Sequence, residues 1–465
     1  MKRMFVGLAV AAALVMVGCG GKDDGSSNSS GTSGSGASSG SSGTSGSGST
    51  SGSTGSSSSS SSTGGGPWSL YNHSPFPTVP NVSGGPTLDK VQLITITFDG
   101  YAYRDTVEGF GDWLVGSDWL NTVGEDYGVG QGEHYAKVHL SDPAPGSITD
   151  SQVQFALAAY IDTGVLPMPA GVAADTDGGS PEADGGSPDT DGGSATADPL
   201  TEPLYAIYFP SSSTITFDGN QGTSCQDFGG YHSFFNYHGV NVSYAVLPTC
   251  EIGSYTVPSL EVAASHETIE AATDPFPQSS FNDPNTTSYS LEDYNSPWSF
   301  IPGEVGDLCV GTQYQDVSGY WVQRSWSNSA ALAGTGSPCV PAPSYVYFNV
   351  STDYTNVIPA SPGETVTYNV TAWTDREYTQ PWHVKVQLYQ SSFYPQYTFS
   401  TADGHSLTEQ SGFNAYVQMR DRDTATLSVT VPANASRGRD FTSLIITSET
   451  GNGEYTMWPV AIYVQ

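Results

Sequence analysis

The spacing of apolar and polar positions divides the chain into two parts with different periods. Residues 91–98 alternate and are rich in β-branched side chains, which predicts a strand. Over 105–123, Val107, Phe110, Trp113, Leu114, Trp119 and Leu120 recur at roughly helical spacing. A short strand is expected at 135–140. Ile148-Thr149-Asp150 then leads into an amphipathic helix over 151–163, with Val153, Phe155, Ala156, Ala159 and Ile161, and a further strand follows at 204–209. This alternation of strands and helices predicts one mixed layered domain over 67–341. Thr-Ile-Thr-Phe-Asp-Gly occurs at 95–100 and again at 214–219, which reads as a strand and tight turn in both places rather than a duplicated domain. From 345 the period becomes two. Segments 345–350, 365–373, 383–389, 425–431, 443–448 and 455–464 alternate, and turn signals such as Ser361-Pro-Gly and Gly451-Asn-Gly separate several of them. About seven strands in such a length predict an immunoglobulin-like sandwich over 344–465. Its two inward faces give it the means to fold independently, with Pro341-Ala-Pro343 as the linker. The expected fold class is therefore α+β followed by an all-β sandwich.

The ends and gaps of this pattern say where the chain works. Lys2 and Arg3 precede an apolar run at 5–17, too short to span a bilayer comfortably, which ends in Met16-Val17-Gly18-Cys19. This resembles the lipobox of bacterial lipoproteins. The resemblance implies cleavage of a signal peptide, 1–18, and lipidation of Cys19. Gly20 in place of Asp points, by analogy with enteric lipoproteins, to the outer membrane. Within the segment 19–66, residues 25–66 are Ser, Gly and Thr except Asn28 and Ala37. They make a flexible tether with a reach of roughly 35 Å. The Gly-x-Ser-x-Gly at 36–40 lies in this tether, has no strand before it or helix after it, and is an accident of composition. Asp-Gly-Gly-Ser recurs at Asp177, Asp184 and Asp191, so an acidic surface insertion, disordered, is expected at 170–199.

Charge and cysteine usage narrow the function. Lys and Arg total 13 against 46 Asp and Glu, a formal net charge of −33. Such a chain does not suit a phosphate backbone, so nucleic acid is not an expected partner. Besides Cys19 there are Cys225, Cys250, Cys309 and Cys339. In an exported chain they read as two disulfides, of which the local pairing 225–250 and 309–339 is the simplest of three.

One segment carries chemistry. Residues 259–273 are Ala-rich and free of Gly and Pro, so a helix is expected, N-capped by Ser259 and ended by Asp274-Pro275. His266 and Glu270 stand four apart and project from one face, where an imidazole and a carboxylate can share a Zn²⁺ ion. Glu267 occupies the place where the zincin motif HExxH keeps its general base. Here Glu replaces the second His, which makes the donor set harder and more compatible with other divalent ions. Asp274, Glu304 and Asp307 are candidates for the third ligand, and His232 is a further one. A 309–339 bridge would pin the loop carrying Glu304 and Asp307.

The ordered set Gly230-Tyr-His232, Tyr244-Ala-Val-Leu-Pro-Thr-Cys250, Ser265-His-Glu-x-x-Glu-Ala-x-Thr-Asp-Pro275 and Gly303-Glu-Val-Gly-Asp-Leu-Cys309 resembles the EXORDIUM-like, or phosphate-induced, proteins of plants and their bacterial lipoprotein relatives. The resemblance covers about 90–340. It implies a zincin-like domain and carries no settled reaction. Two function classes follow. One is a cell-envelope metal-dependent hydrolase, peptidase-like, acting on a polypeptide or cell-wall substrate. The other is a non-catalytic surface or wall-binding lipoprotein with at most a structural metal.

Overall fold

The computed structural model describes residues 68–172, 200–219, 222–277, 287–291, 296–298, 303–401, 407–408, 414–449 and 455–465. The lipobox, Cys19, the tether and 173–199 of the acidic insertion lie outside the described residues. Pro169 bridges to Leu200, so the chain leaves and re-enters the domain at one point around the insertion.

The first part is built on a five-stranded sheet of β1 (Gln92–Asp99), β2 (Glu133–Pro143), β4 (Pro203–Phe209), β6 (Tyr231–Tyr237) and β7 (Val240–Pro248), in the order β2-β1-β4-β7-β6. A separate two-stranded ladder joins β3 (Ser147–Thr149) to β5 (Thr214–Thr216). All pairings of the larger sheet are parallel except β6 with β7, which makes β6 an antiparallel edge. Successive side chains point to opposite faces, so the sheet separates two cores. Leu93, Leu204, Ala206, Tyr208, Ala245 and Leu247 face one; Ile94, Ile96, Tyr205, Ile207, Tyr244 and Val246 face the other.

Helix α3 (Asp150–Asp162) covers the second face through Val153, Leu157 and Ile161, and starts in a capping box between Thr149 and Gln152. The first face carries α1 (Arg104–Leu114), α2 (Asp118–Gly124) and α4 (Thr256–Thr273). The apolar run expected as one helix over 105–123 is thus two. Ser117 ends the first and caps the second, its Oγ accepting from Leu120 N at 3.3 Å, and side-chain capping competes well with helix continuation at Ser. The twin Thr-Ile-Thr segments are both strands, β1 and β5, each followed by a glycine in the left-handed region, Gly100 at φ 70° and Gly219 at φ 80°.

Helix α4 also begins earlier than its composition indicated. It starts at Thr256, and Ser259 is not its cap. Pro258 is tolerated in the first turn, where its missing N–H has no intrahelical partner to lose. The helix ends at Asp274, before Pro275. It packs between β6 and β7 on one side and the strand Trp321–Gln323 on the other, so from Ala264 to Thr273 every residue is buried.

The second part is a two-sheet sandwich. A four-stranded sheet orders Phe348–Thr352, Thr365–Thr374, Thr424–Thr430 and Gln396–Thr401. A six-stranded sheet orders Ile358–Ala360, Tyr455–Val464, Phe441–Glu449, Trp382–Ser391, Asn414–Met419 and Leu407–Thr408. The alternating segments found in the sequence each carry a strand here, the first of them only from Phe348. The strands the pattern left out are short or lie at or near a sheet edge, where fewer positions are buried and the alternation is weak.

The core does not stop at the linker. Phe76 packs on Trp326 of the first part, at 5.7 Å between ring centroids, and on Trp458 and Trp373 of the sandwich at 5.0 and 6.0 Å. His73 stacks on Trp373 at 3.7 Å. The segment before β1 therefore fills the seam between the two parts.

Candidate metal centre

The site forms where α4 meets β6 and the loop 303–309. His266 and Glu270, one turn apart, face each other with Nε2 to Oε2 at 3.1 Å. His232, on the edge strand β6, brings its Nδ1 to 3.8 Å from the same Glu270 oxygen and 3.5 Å from Glu267 Oε2. From the loop, Asp307 Oδ1 lies 3.7 Å from His266 Nε2, and Glu304 Oε2 lies 3.6 Å from His232 Nε2. One donor atom from each of His266, Glu267 and Glu270, and likewise from each of His232, Glu270 and Glu304, lies within 4.8 Å of the others. Glu270 is common to both groups.

The ligand loop is held from several directions. Asp307 N donates to Glu270 Oε1 at 3.0 Å, and Glu304 N donates to Asp307 Oδ2 at 3.1 Å. Gln323 Nε2 donates to the Gly306 carbonyl at 2.8 Å, while Gln323 N donates to Ser265 Oγ at 3.0 Å, tying loop to helix. The bridges Cys225–Cys250 and Cys309–Cys339 are both present, the second closing directly after the loop. Two glycines allow the close approach. A Cβ at Gly306 would stand 2.7 Å from Glu270 Oε1 and 3.0 Å from His266 Nδ1; one at Gly230 would stand 3.0 Å from Glu267 Oε1.

Asp274, the other candidate third ligand, lies at the end of α4 beside His232. Its Oδ1 accepts from Ser288 N at 3.0 Å, and its backbone carbonyl meets His232 Nε2 at 3.2 Å. It orients the histidine and belongs to neither donor group. Because a carbonyl only accepts, Nε2 of His232 carries the proton in this contact; Nδ1 is turned to Glu267 and Glu270, and Glu304 lies on the Nε2 side.

The electrostatics are those of a buried acidic cluster balanced only by imidazoles. Among the described residues, the ion pairs of Glu267, Glu270, Glu304 and Asp307 go to His232 and His266. Burial pushes both histidines down, but the neighbouring carboxylates outweigh it. His266 sits well above its ordinary value because of Glu270, Glu267 and Asp307, and His232 is raised by Glu267, Glu270 and Asp274. Burial raises Glu270, yet His266 and His232 bring it below the usual carboxylate range. Burial, then the charge of Glu270, holds Glu304 and Asp307 well above it.

These residues fit a divalent cation. The donor set is imidazole and carboxylate, Glu304 Oε2 and Asp307 Oδ1 are buried and accept no hydrogen bond, and two glycines leave room at the cluster. Sequence reading named His266, Glu267, Glu270, Asp274, Glu304 and Asp307, with His232 as a further candidate, and did not single out Gln323 or the roles of Gly230 and Gly306. The Gly-Tyr-His and Gly-Glu-Val-Gly-Asp patterns held the only signal for them.

No protein-family model and no curated protein matches the chain. Solved structures align with short parts of it. Domains 4 and 5 of the S-layer protein SbsC match 26% of this chain and 54% of theirs, at 18% identity and a TM-score of 0.16. The major pilin subunit BcpA of Bacillus cereus matches 26% of this chain and 40% of its own, at 12% identity and a TM-score of 0.18. The N-terminal domain of PorA matches 25% of this chain and 97% of its own, at 10% identity and a TM-score of 0.19. At such scores none of them bears on the site.

Proposed function

We propose that this chain is a lipid-anchored protein of the bacterial cell envelope, held at the outer membrane through Cys19, and that its zincin-like domain is a metal-dependent hydrolase of the peptidase class. The observation that carries the reading is the meeting of His266 Nε2 and Glu270 Oε2 at 3.1 Å with Glu267 on the next position of the same buried helix. His266 and Glu270 would hold the ion, Zn²⁺ in the first instance, and Asp307, with Oδ1 3.7 Å from His266 Nε2, would complete the set. The ion would supply, when bound, a charge that polarises a carbonyl and lowers the pKa of a water toward about 7. Glu267 is placed to accept a proton beside it, and His232, 3.5 Å from Glu267 Oε2, is placed to steady that carboxylate. Gly230 keeps the space next to Glu267 open. The substrate would be a polypeptide or a cell-wall peptide, and the immunoglobulin-like sandwich would be the neighbouring surface that presents it.

A second reading has its own observation. His232, His266, Glu267 and Glu270 are all at most 7% exposed. Structural ions occupy closed sites, whereas catalytic ions keep an open position. A surface or wall-binding lipoprotein with a structural ion would show that burial.

The separating experiment uses Glu267→Gln and His266→Ala in the full chain, with metal content and peptide hydrolysis measured together. The enzyme reading expects Glu267→Gln to keep the metal and lose hydrolysis, and His266→Ala to lose both. Metal retained by the unaltered chain without hydrolysis favours the structural reading, and no metal above background removes both.

A further inference from the structure

We infer that the cluster binds two divalent cations, with Glu270 bridging them: one held by His266 and Asp307, the other by His232 and Glu304. The inference rests on the proposed metal site and deepens it, since that reading needs only the first ion.

Three observations carry it. The first is the donor arrangement. Two groups of donor atoms, His266, Glu267 and Glu270 in one and His232, Glu270 and Glu304 in the other, each lie within 4.8 Å and share Glu270 as a bridging carboxylate requires, and Asp307 Oδ1 stands 3.7 Å from His266 Nε2 on the first side. A single oxygen, Glu270 Oε2, faces a different histidine on each side, at 3.1 Å for His266 Nε2 and 3.8 Å for His232 Nδ1. Its other oxygen is taken by Asp307 N.

The second is charge. Glu267, Glu270, Glu304 and Asp307 are paired only with imidazoles among the described residues, and ligating imidazoles are neutral. With all four ionised as ligands are, one divalent ion leaves a charge of about −2 in the cluster, before Asp274 is counted, and a second brings these four carboxylates to about zero.

The third is the state of the atoms at the second position. Glu304 Oε2 is buried and accepts no hydrogen bond, and it lies on the His232 side of the cluster. The carbonyl of Asp274 holds the Nε2 proton of His232, which turns Nδ1 toward Glu270 as a ligand nitrogen. A single ion at His266 and Asp307 leaves Glu304 without a role, and it leaves His232 only its contact with Glu267.

The test is the ion count of the full chain, purified in detergent, loaded separately with Zn²⁺ and Mn²⁺ and dialysed. The expected result is about two equivalents of either metal and an exchange-coupled electron paramagnetic resonance spectrum for Mn²⁺, as for ions about 3.5–4 Å apart. His232→Ala and Glu304→Gln should each lower the count from two to one, with circular dichroism and disulfide mapping unchanged. One equivalent in the unaltered chain, with an uncoupled Mn²⁺ spectrum, overturns the two-ion inference and leaves the hydrolase reading standing. No bound metal overturns both. Because the count is made on the unaltered chain, a variant that fails to fold does not rescue the idea.

Discussion

His232 Nδ1 lies 3.5 Å from Glu267 Oε2, an edge-strand imidazole set against the helix carboxylate that follows the first ligand. The contact joins two chain segments that share no local motif, and it explains why the acidic helix can be buried. Without a nearby cation, a buried carboxylate tends to neutralise itself by raising its pKa.

The metal-free protein should lose stability as pH rises. His232 and His266 have raised folded values, so the stability they contribute is present below about pH 6.5 and is lost as pH climbs through the folded values. Glu304 and Asp307, also raised, hold protons in the folded state that the unfolded chain has released, which gives the same sign. Glu270 is depressed, and its opposite contribution is already complete above about pH 5. In chelator, the melting temperature should fall between about pH 5 and pH 8; with saturating Zn²⁺ it should hold or rise, because ligands then release their protons to the ion's benefit. Calorimetry across that range checks it, and parallel profiles with and without metal would refute it.

Gly306→Ala should damage the site more than the fold. The new Cβ would press on Glu270 Oε1 and on His266 Nδ1, and it would disturb the Asp307 N–H bond to Glu270. We expect a loss of about 1–3 kcal/mol in stability and a clear fall in metal affinity. Competition with a fluorescent chelator measures the second, and Gly146→Ala, at an exposed bend with open space around it, serves as the control.

Phe76→Ala should loosen the seam. The ring is buried against Trp326 on one side and Trp373 and Trp458 on the other. Removing it should cost about 3–5 kcal/mol. Because the cavity opens between the parts, denaturation should change from one transition to two. Tryptophan fluorescence and circular dichroism followed together would reveal the split; coincident curves at a lowered midpoint would limit the effect to packing.

Cys19→Ser should release the protein from membranes. Several buried acyl chains anchor firmly, since each buried CH₂ is worth about 0.8 kcal/mol. Fatty-acid labelling and fractionation measure it, and unchanged labelling would end the lipoprotein reading.

The sequence by itself determined what depends on neighbours along the chain. Period two marked most strands of the sandwich, Ile148-Thr149-Asp150 led into α3, and Asp274-Pro275 ended α4. The helical spacing of His266 and Glu270 put two donors on one face, because that follows from residues per turn alone. The two nearest cysteine pairs closed as the simplest pairing has them. Tertiary structure decided the rest. Ser117 split a helix that the apolar spacing left whole, and Thr256 rather than Ser259 opened α4, since caps compete over energies smaller than packing. Only the antiparallel edge position of β6 put His232 opposite Glu267, and only the fold of the Gly303-Glu-Val-Gly-Asp loop against Gln323 brought Glu304 to 3.6 Å from His232 and Asp307 to 3.7 Å from His266. Those choices were invisible in one dimension, because a ligand set is a matter of distances across the fold, and spacing along the chain reports distance only within one element.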